Sequence, residues 1–222
     1  MNAWTDTSLI VALLAVLMTL GSSRIALCIR LVAVQGIALS LLPVTTSDTF
    51  NSHVWLLAVG TLLVKGILLP WFLHKTRRQA DVPREVEPYI GFGASLLVGT
   101  AMLTASFWGA SVLPLPHHQP PTTLALPISF FCVFSGLFLV ASRRKALMQV
   151  LGYLVLENGI YIFGIVLVKD QPLLVEMGVL LDLVVGVFVM GIAIFHISRE
   201  FEHIDADRLN LLNDAVGRDG AA

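Results

Sequence analysis

Four ionisable residues stand where a chain would normally place leucine. Lys65 sits in TLLVKGILLPWF, Glu157 in GYLVLENGIYIFG, and Asp182 in GVLLDLVVG, with Glu176 six residues before the last. A charge at the centre of a bilayer costs roughly 2.5–3.5 kcal/mol even on insertion scales, so such groups face a protein interior or water. Burial disfavours the charged form of any ionisable group, and that is what lets acids and amines exchange protons near neutral pH. Two roles fit these residues. One is a proton or ion relay; the other is a set of buried ion pairs that hold helices together.

The elements that must position them are long and apolar. The chain has 222 residues, 56% hydrophobic and 13% charged, with a mean hydropathy of +0.84. Soluble domains carry about 25% charged residues, so the composition excludes an ordinary soluble globule. The net charge of −1 gives no footprint for nucleic acid. Runs of about 18 or more apolar residues are long enough to cross a bilayer as helices. Seven are expected, near 5–23, 25–46, 53–74, 88–112, 123–142, 145–168 and 173–198, followed by a polar tail over 199–222. The expected architecture is therefore all-α and polytopic, with a membrane domain over 1–198.

The distribution of basic residues orients it. With seven spans and the N-terminus outside, 12 of the 14 Lys and Arg fall on the inner side; Lys169 lies outside and Lys65 within the membrane. Such an excess of positive charge marks the cytoplasmic face. The segment MNAWTDTS has no basic residue, unlike the start of a cleaved signal. At about 1.5 Å per residue, Lys65, Glu157 and Asp182 lie twelve, eleven and nine residues from the outer ends of their helices, in one layer. Glu176 lies nearer the outer surface.

Other chemistry is sparse. Cys28 and Cys132 fall in apolar runs and read as buried thiols. His117 and His118 neighbour prolines in a loop, while His74 and His196 end helices at the inner side. The glycines of GFGAS follow no strand, so they do not form a phosphate loop; close helix packing is expected there and at Gly186 and Gly191. Pro70 is expected to disturb the third helix near Lys65. LLAVGTLLVK (56–65) aligns with LLVEMGVLLD (173–182), matching Lys65 with Asp182 and hinting at an internal repeat. No residue set suggests a catalytic site, metal or cofactor of its own.

The stretch RRKALMQVLG, LENG, LLDLVVG and HISR, within 143–199, resembles the small three-helix subunit of complex I (NuoK) and its antiporter relative (MrpC). Gly152, Asn158 and Asp182 match positions of that pattern. Leu154 stands where the pattern has its first carboxylate, and Glu157 follows almost one turn later. Over its whole length, including Lys65 to Pro70 and the tail around Asp207 to Leu212, the chain resembles the hydrogenase-4 component E (HyfE) family. That resemblance implies a subunit of a bacterial inner-membrane assembly, related to complex I or to group 4 hydrogenases. Antiporter-like membrane subunits and a peripheral redox arm would be its partners, and it would move protons without catalysing the redox step. A purely structural subunit and an independent transporter are the other possibilities.

Overall fold

The computed structural model describes residues 3–46, 52–79, 89–113 and 122–167, all within one compact unit, Met1–Val184. Among the described residues there are helices and no strands. Six helical stretches are long and apolar enough to cross a membrane: Ala3–Gly21, Ile25–Thr46, Val54–Arg78, Phe92–Val112, Ala125–Ser142 and Ala146–Ile165. They correspond to the first six expected spans, and the chain is a multi-pass membrane protein. The expected seventh span and the polar tail lie outside the described residues.

Two of the spans are interrupted, each at a proline. The second consists of α1's neighbour α2 (Ile25–Ser40) and a short α3 (Leu42–Thr46), where α1 is Ala3–Gly21. Pro43 has no N–H to offer the carbonyl of Leu39, so the regular ladder breaks there. The third span comprises α4 (Ser52–Thr61), a π-helical segment (Leu62–Leu68) and α5 (Leu69–Gln79). Leu69 N–H reaches back five residues to the carbonyl of Val64. Pro70 cannot donate to Gly66 or Lys65, the acceptors four and five residues behind it. The disturbance expected from Pro70 thus takes the form of a widened turn with Lys65 inside it.

The remaining helices are α6 (Phe92–Val112), α7 (Ala125–Ser142) and α8 (Ala146–Leu167). Leu9, Val16, Ile29, Phe131, Leu139, Met148 and Leu151, from α1, α2, α7 and α8, form the buried core. Hydrocarbon surroundings give no hydrophobic drive for helices to associate, so close backbone packing has to supply it. Along α7 and α8 small residues permit that. A Cβ on Gly152 would stand 2.8 Å from Val140 N, and one on Gly159 would stand 2.8 Å from the carbonyl of Ser129. Ser129 Oγ donates to the carbonyl of Gly159 at 2.9 Å across this seam.

The glycines of GFGAS behave otherwise than expected. Among the described residues, a Cβ on Gly91 or Gly93 would meet nothing within 4 Å. Both lie at the start of α6, whose buried positions are Ser95, Gly99 and Ser106 and whose Phe92, Met102 and Leu103 pack against the core. Gly99, not the pair before it, lets Leu20 of α1 approach.

Candidate functional site

Glu157, Asn158 and Tyr161 are spaced i, i+1 and i+4 on α8, which gathers them on one side of the helix. That side meets the π-helical segment. Lys65 Nζ lies 3.3 Å from Glu157 Oε1 and donates to Asn158 Oδ1 at 3.2 Å. The ammonium also stands 4.8 Å from the centre of the Tyr161 ring, within range of a cation–π attraction. The tyrosine hydroxyl is in turn hydrogen-bonded to Thr61 Oγ1 at 3.0 Å, one helical turn before Lys65. All four of Thr61, Lys65, Glu157 and Asn158 are at most 5% exposed.

The backbone fixes the amine as firmly as its side-chain partners do. A Cβ on Gly36 of α2 would lie 2.7 Å from the carbonyl oxygen of Lys65, so only glycine lets the widened turn press against α2. Glu157 is held less completely. Its contact with Lys65 is an ion pair by distance, yet neither carboxylate oxygen accepts an aligned hydrogen bond. A buried carboxylate held by charge alone retains acceptor capacity, which is what a group that takes up and releases a proton needs.

A second buried cation lies at the end of the bundle where α1 stops and α6 begins. Arg143 is fully buried. It donates through Nη2 to the carbonyl of Leu20 at 2.9 Å and to Ser95 Oγ at 3.4 Å, and its Cζ lies over the Phe92 ring, 5.3 Å from the centroid. Tyr89 N–H bonds to the carbonyl of Ser142 next door, and Arg144 covers the Tyr89 ring at 4.5 Å. Burial draws the Arg143 guanidinium below its ordinary value, but an arginine remains charged in proteins. This residue ties three helix ends together.

The structure therefore brings together Lys65 and Glu157. Asp182 and Glu176 lie outside the described residues, as do His117, His118 and His196. His74 lies in α5, beside Arg77 and Arg78 in the sequence. Cys28 and Cys132 are free, buried thiols. Sequence reasoning missed Tyr161, the glycine at position 36, and the burial of Arg143. The last had one available sign: only residues 143–145 separate α7 from α8, too short a link to carry every basic side chain into water.

Residues 124–214 match the family NADH-ubiquinone/plastoquinone oxidoreductase chain 4L. The match contains Glu157 and Asn158 and excludes Lys65. An uncharacterized protein of Mycobacterium tuberculosis is 33% identical over 190 residues, covering 84% of this chain and 85% of its own length. Hydrogenase-4 component E of Escherichia coli K12 is 28% identical over 185 residues, 81% of this chain and 83% of that protein. The chain is a homologue of hydrogenase-4 component E, with a chain 4L-like region in its C-terminal half. The component E of Shigella flexneri matches to the same extent. Component E relatives align with more than the chain 4L region, so the family spans both halves of the Lys65–Glu157 pair. No solved structure matches the chain.

Proposed function

We propose that this component E homologue is a membrane subunit of an ion-translocating redox assembly related to complex I or to membrane-bound hydrogenases. It works in the bacterial inner membrane beside antiporter-like subunits and a peripheral redox arm, with its N-terminus outside and its C-terminus inside. Lys65 and Glu157, joined by Asp182 and with Glu176 toward the outer side, form a proton path at mid-depth. The observation that carries this reading is the buried Lys65–Glu157 pair at 3.3 Å, with both carboxylate oxygens lacking an aligned donor. The mechanism is electrostatic. A charge arriving in a neighbouring subunit changes the relative stability of the ion pair and the neutral pair, and a proton moves along the layer in response.

The test is Glu157→Gln and, separately, Asp182→Asn, in the assembled complex. Each substitution keeps shape and removes the titratable group. Assembly should persist while proton uptake by inverted membrane vesicles, driven by the complex, falls severely. Full uptake in both variants would sink the relay. A second reading, in which the pair is only a clamp between the third span and α8, is favoured by the flanking hydrogen bonds, from Lys65 to Asn158 and between Tyr161 and Thr61. It predicts the reverse pattern, with reduced yield of the complex and normal uptake per assembled complex.

A further inference from the structure

The polar layer does not end at Lys65. Gln35 precedes Gly36, the residue against which the Lys65 carbonyl rests, and it is fully buried in α2. Its Nε2 donates to Cys132 Sγ of α7 at 3.6 Å, and its Oε1 accepts nothing. Turning the amide end for end does not cure this, since the thiol can serve one end only. One turn along α7 from Cys132, the Ser135 hydroxyl is also fully buried and also without a partner. Residues three apart on a helix face the same side. Gln35, Cys132 and Ser135 each lie within two residues of the centre of their spans, as do Lys65 and Glu157. All five therefore share one depth.

A buried polar atom with no partner costs about 1–3 kcal/mol. Here two such atoms lie at one depth, on helices that touch where Gln35 meets Cys132. Buried polar atoms of this kind are normally satisfied by an ordered water with two to four polar partners. We propose that Gln35 and Ser135 bind internal water between α2 and α7, and that this water extends the Lys65–Glu157 proton path into the N-terminal half of the chain. The site rests on the relay reading only for its function; the water itself follows from the unpaired atoms. Gln35 is here a positioning residue. It exchanges no proton of its own and holds the water that does.

Brief X-ray exposure of the assembled complex in its membrane generates hydroxyl radicals from bound water in place, so buried sulfur next to water is oxidised while equally buried dry sulfur is not. Cys132 is the reporter and the fully buried Met148 the control, each scaled to its own rate in the unfolded chain. Cys132 should oxidise several-fold faster than Met148, and Ser135→Ala should bring it down toward the Met148 rate. Gln35→Leu should do the same with a larger effect. Should Gln35→Leu fail to assemble, Ser135→Ala still decides, because it removes one oxygen and little volume. Equal protection of Cys132 and Met148 in the native chain would overturn the site. Proton uptake per turnover should fall in whichever variant dries Cys132; full uptake in a dried variant overturns the extension of the path. If Glu157→Gln and Asp182→Asn both leave uptake intact the relay itself fails, and the Cys132 rate still settles the water.

Discussion

Among the described residues two cations are buried, and they are held in opposite ways. Arg143, at the end where α1 meets α6, is surrounded by neutral groups: a backbone carbonyl, a serine hydroxyl and an aromatic face. Lys65, at mid-depth, faces a carboxylate, an amide and an aromatic face. The first set stabilises a charge that never changes. The second contains two ionisable groups, which on the proposed proton path would exchange a proton. The fixed cation joins helix ends, whereas the proposed chemistry lies at the pair. Side-chain type follows the same division. Arginine offers a rigid fork that suits several fixed acceptors, whereas the lysine amine gives up its proton more readily when buried.

The comparison breaks most visibly at Lys65→Met. That change leaves Glu157 alone in an apolar interior, and removal of one partner of a buried pair costs about 3–5 kcal/mol. Thermal unfolding of the solubilised complex should register the loss. Adding Glu157→Leu should recover most of the stability with no recovery of proton uptake. Recovery of both would mean that the pair is a clamp and that the contrast with Arg143 is one of position only.

Two glycine substitutions sharpen the contrast at smaller cost. Gly36→Ala and Gly152→Ala each force a Cβ against backbone, 2.7 Å from the Lys65 carbonyl in one case and 2.8 Å from Val140 N in the other. Overpacking of this kind costs about 1–3 kcal/mol. Both should lower the unfolding temperature similarly. Only Gly36→Ala displaces the lysine, so only it should depress proton uptake per assembled complex. Equal depression by both would show that uptake follows bundle stability and not the placement of Lys65.

Arg143→Lys tests the other side. An ammonium cannot reproduce the guanidinium's place over the Phe92 ring together with the contacts to Leu20 and Ser95. The loss of one charge-assisted hydrogen bond amounts to about 1–3 kcal/mol, and the variant should unfold earlier with uptake per complex unchanged. A fall in uptake without a fall in stability would place Arg143 on the proton path and erase the distinction.

How much of this could be read from the residues depended on contrast with their surroundings. Lys65 and Glu157 were legible because a charge in an apolar run is conspicuous, and counting residues from helix ends put them level. Six spans were legible for the same reason. Arg143 was hidden by the reverse effect: in the basic stretch SRRK it is one of three cations at a membrane edge, and nothing local distinguishes the buried one. The π-helical turn was readable only as far as Pro70, because a missing N–H shows that the ladder must change but not how it closes. Glycines misled. Those of GFGAS look like a packing motif and meet no neighbour among the described residues, while Gly36 is isolated in sequence and lies against Lys65. Close approach is a property of two helices, and one helix's sequence carries half of it.

Tyr161 offers the finest discrimination, since its ring and its hydroxyl serve different ends of the site. The ring lies under the Lys65 ammonium, and the hydroxyl ties α8 to Thr61 of α4. Tyr161→Phe removes only the tie. An ordinary hydrogen bond contributes about 0.5–1.5 kcal/mol, so the unfolding temperature should drop slightly and proton uptake should not change. Tyr161→Leu removes the aromatic face as well, and with it a neutral group that favours the charged amine. That variant should shift the balance of the pair toward its neutral form and reduce uptake beyond the effect of Tyr161→Phe. Equal uptake in the two variants would mean that the carboxylate and Asn158 alone set the state of Lys65. The parallel with Arg143 on Phe92 would then be one of geometry and not of function.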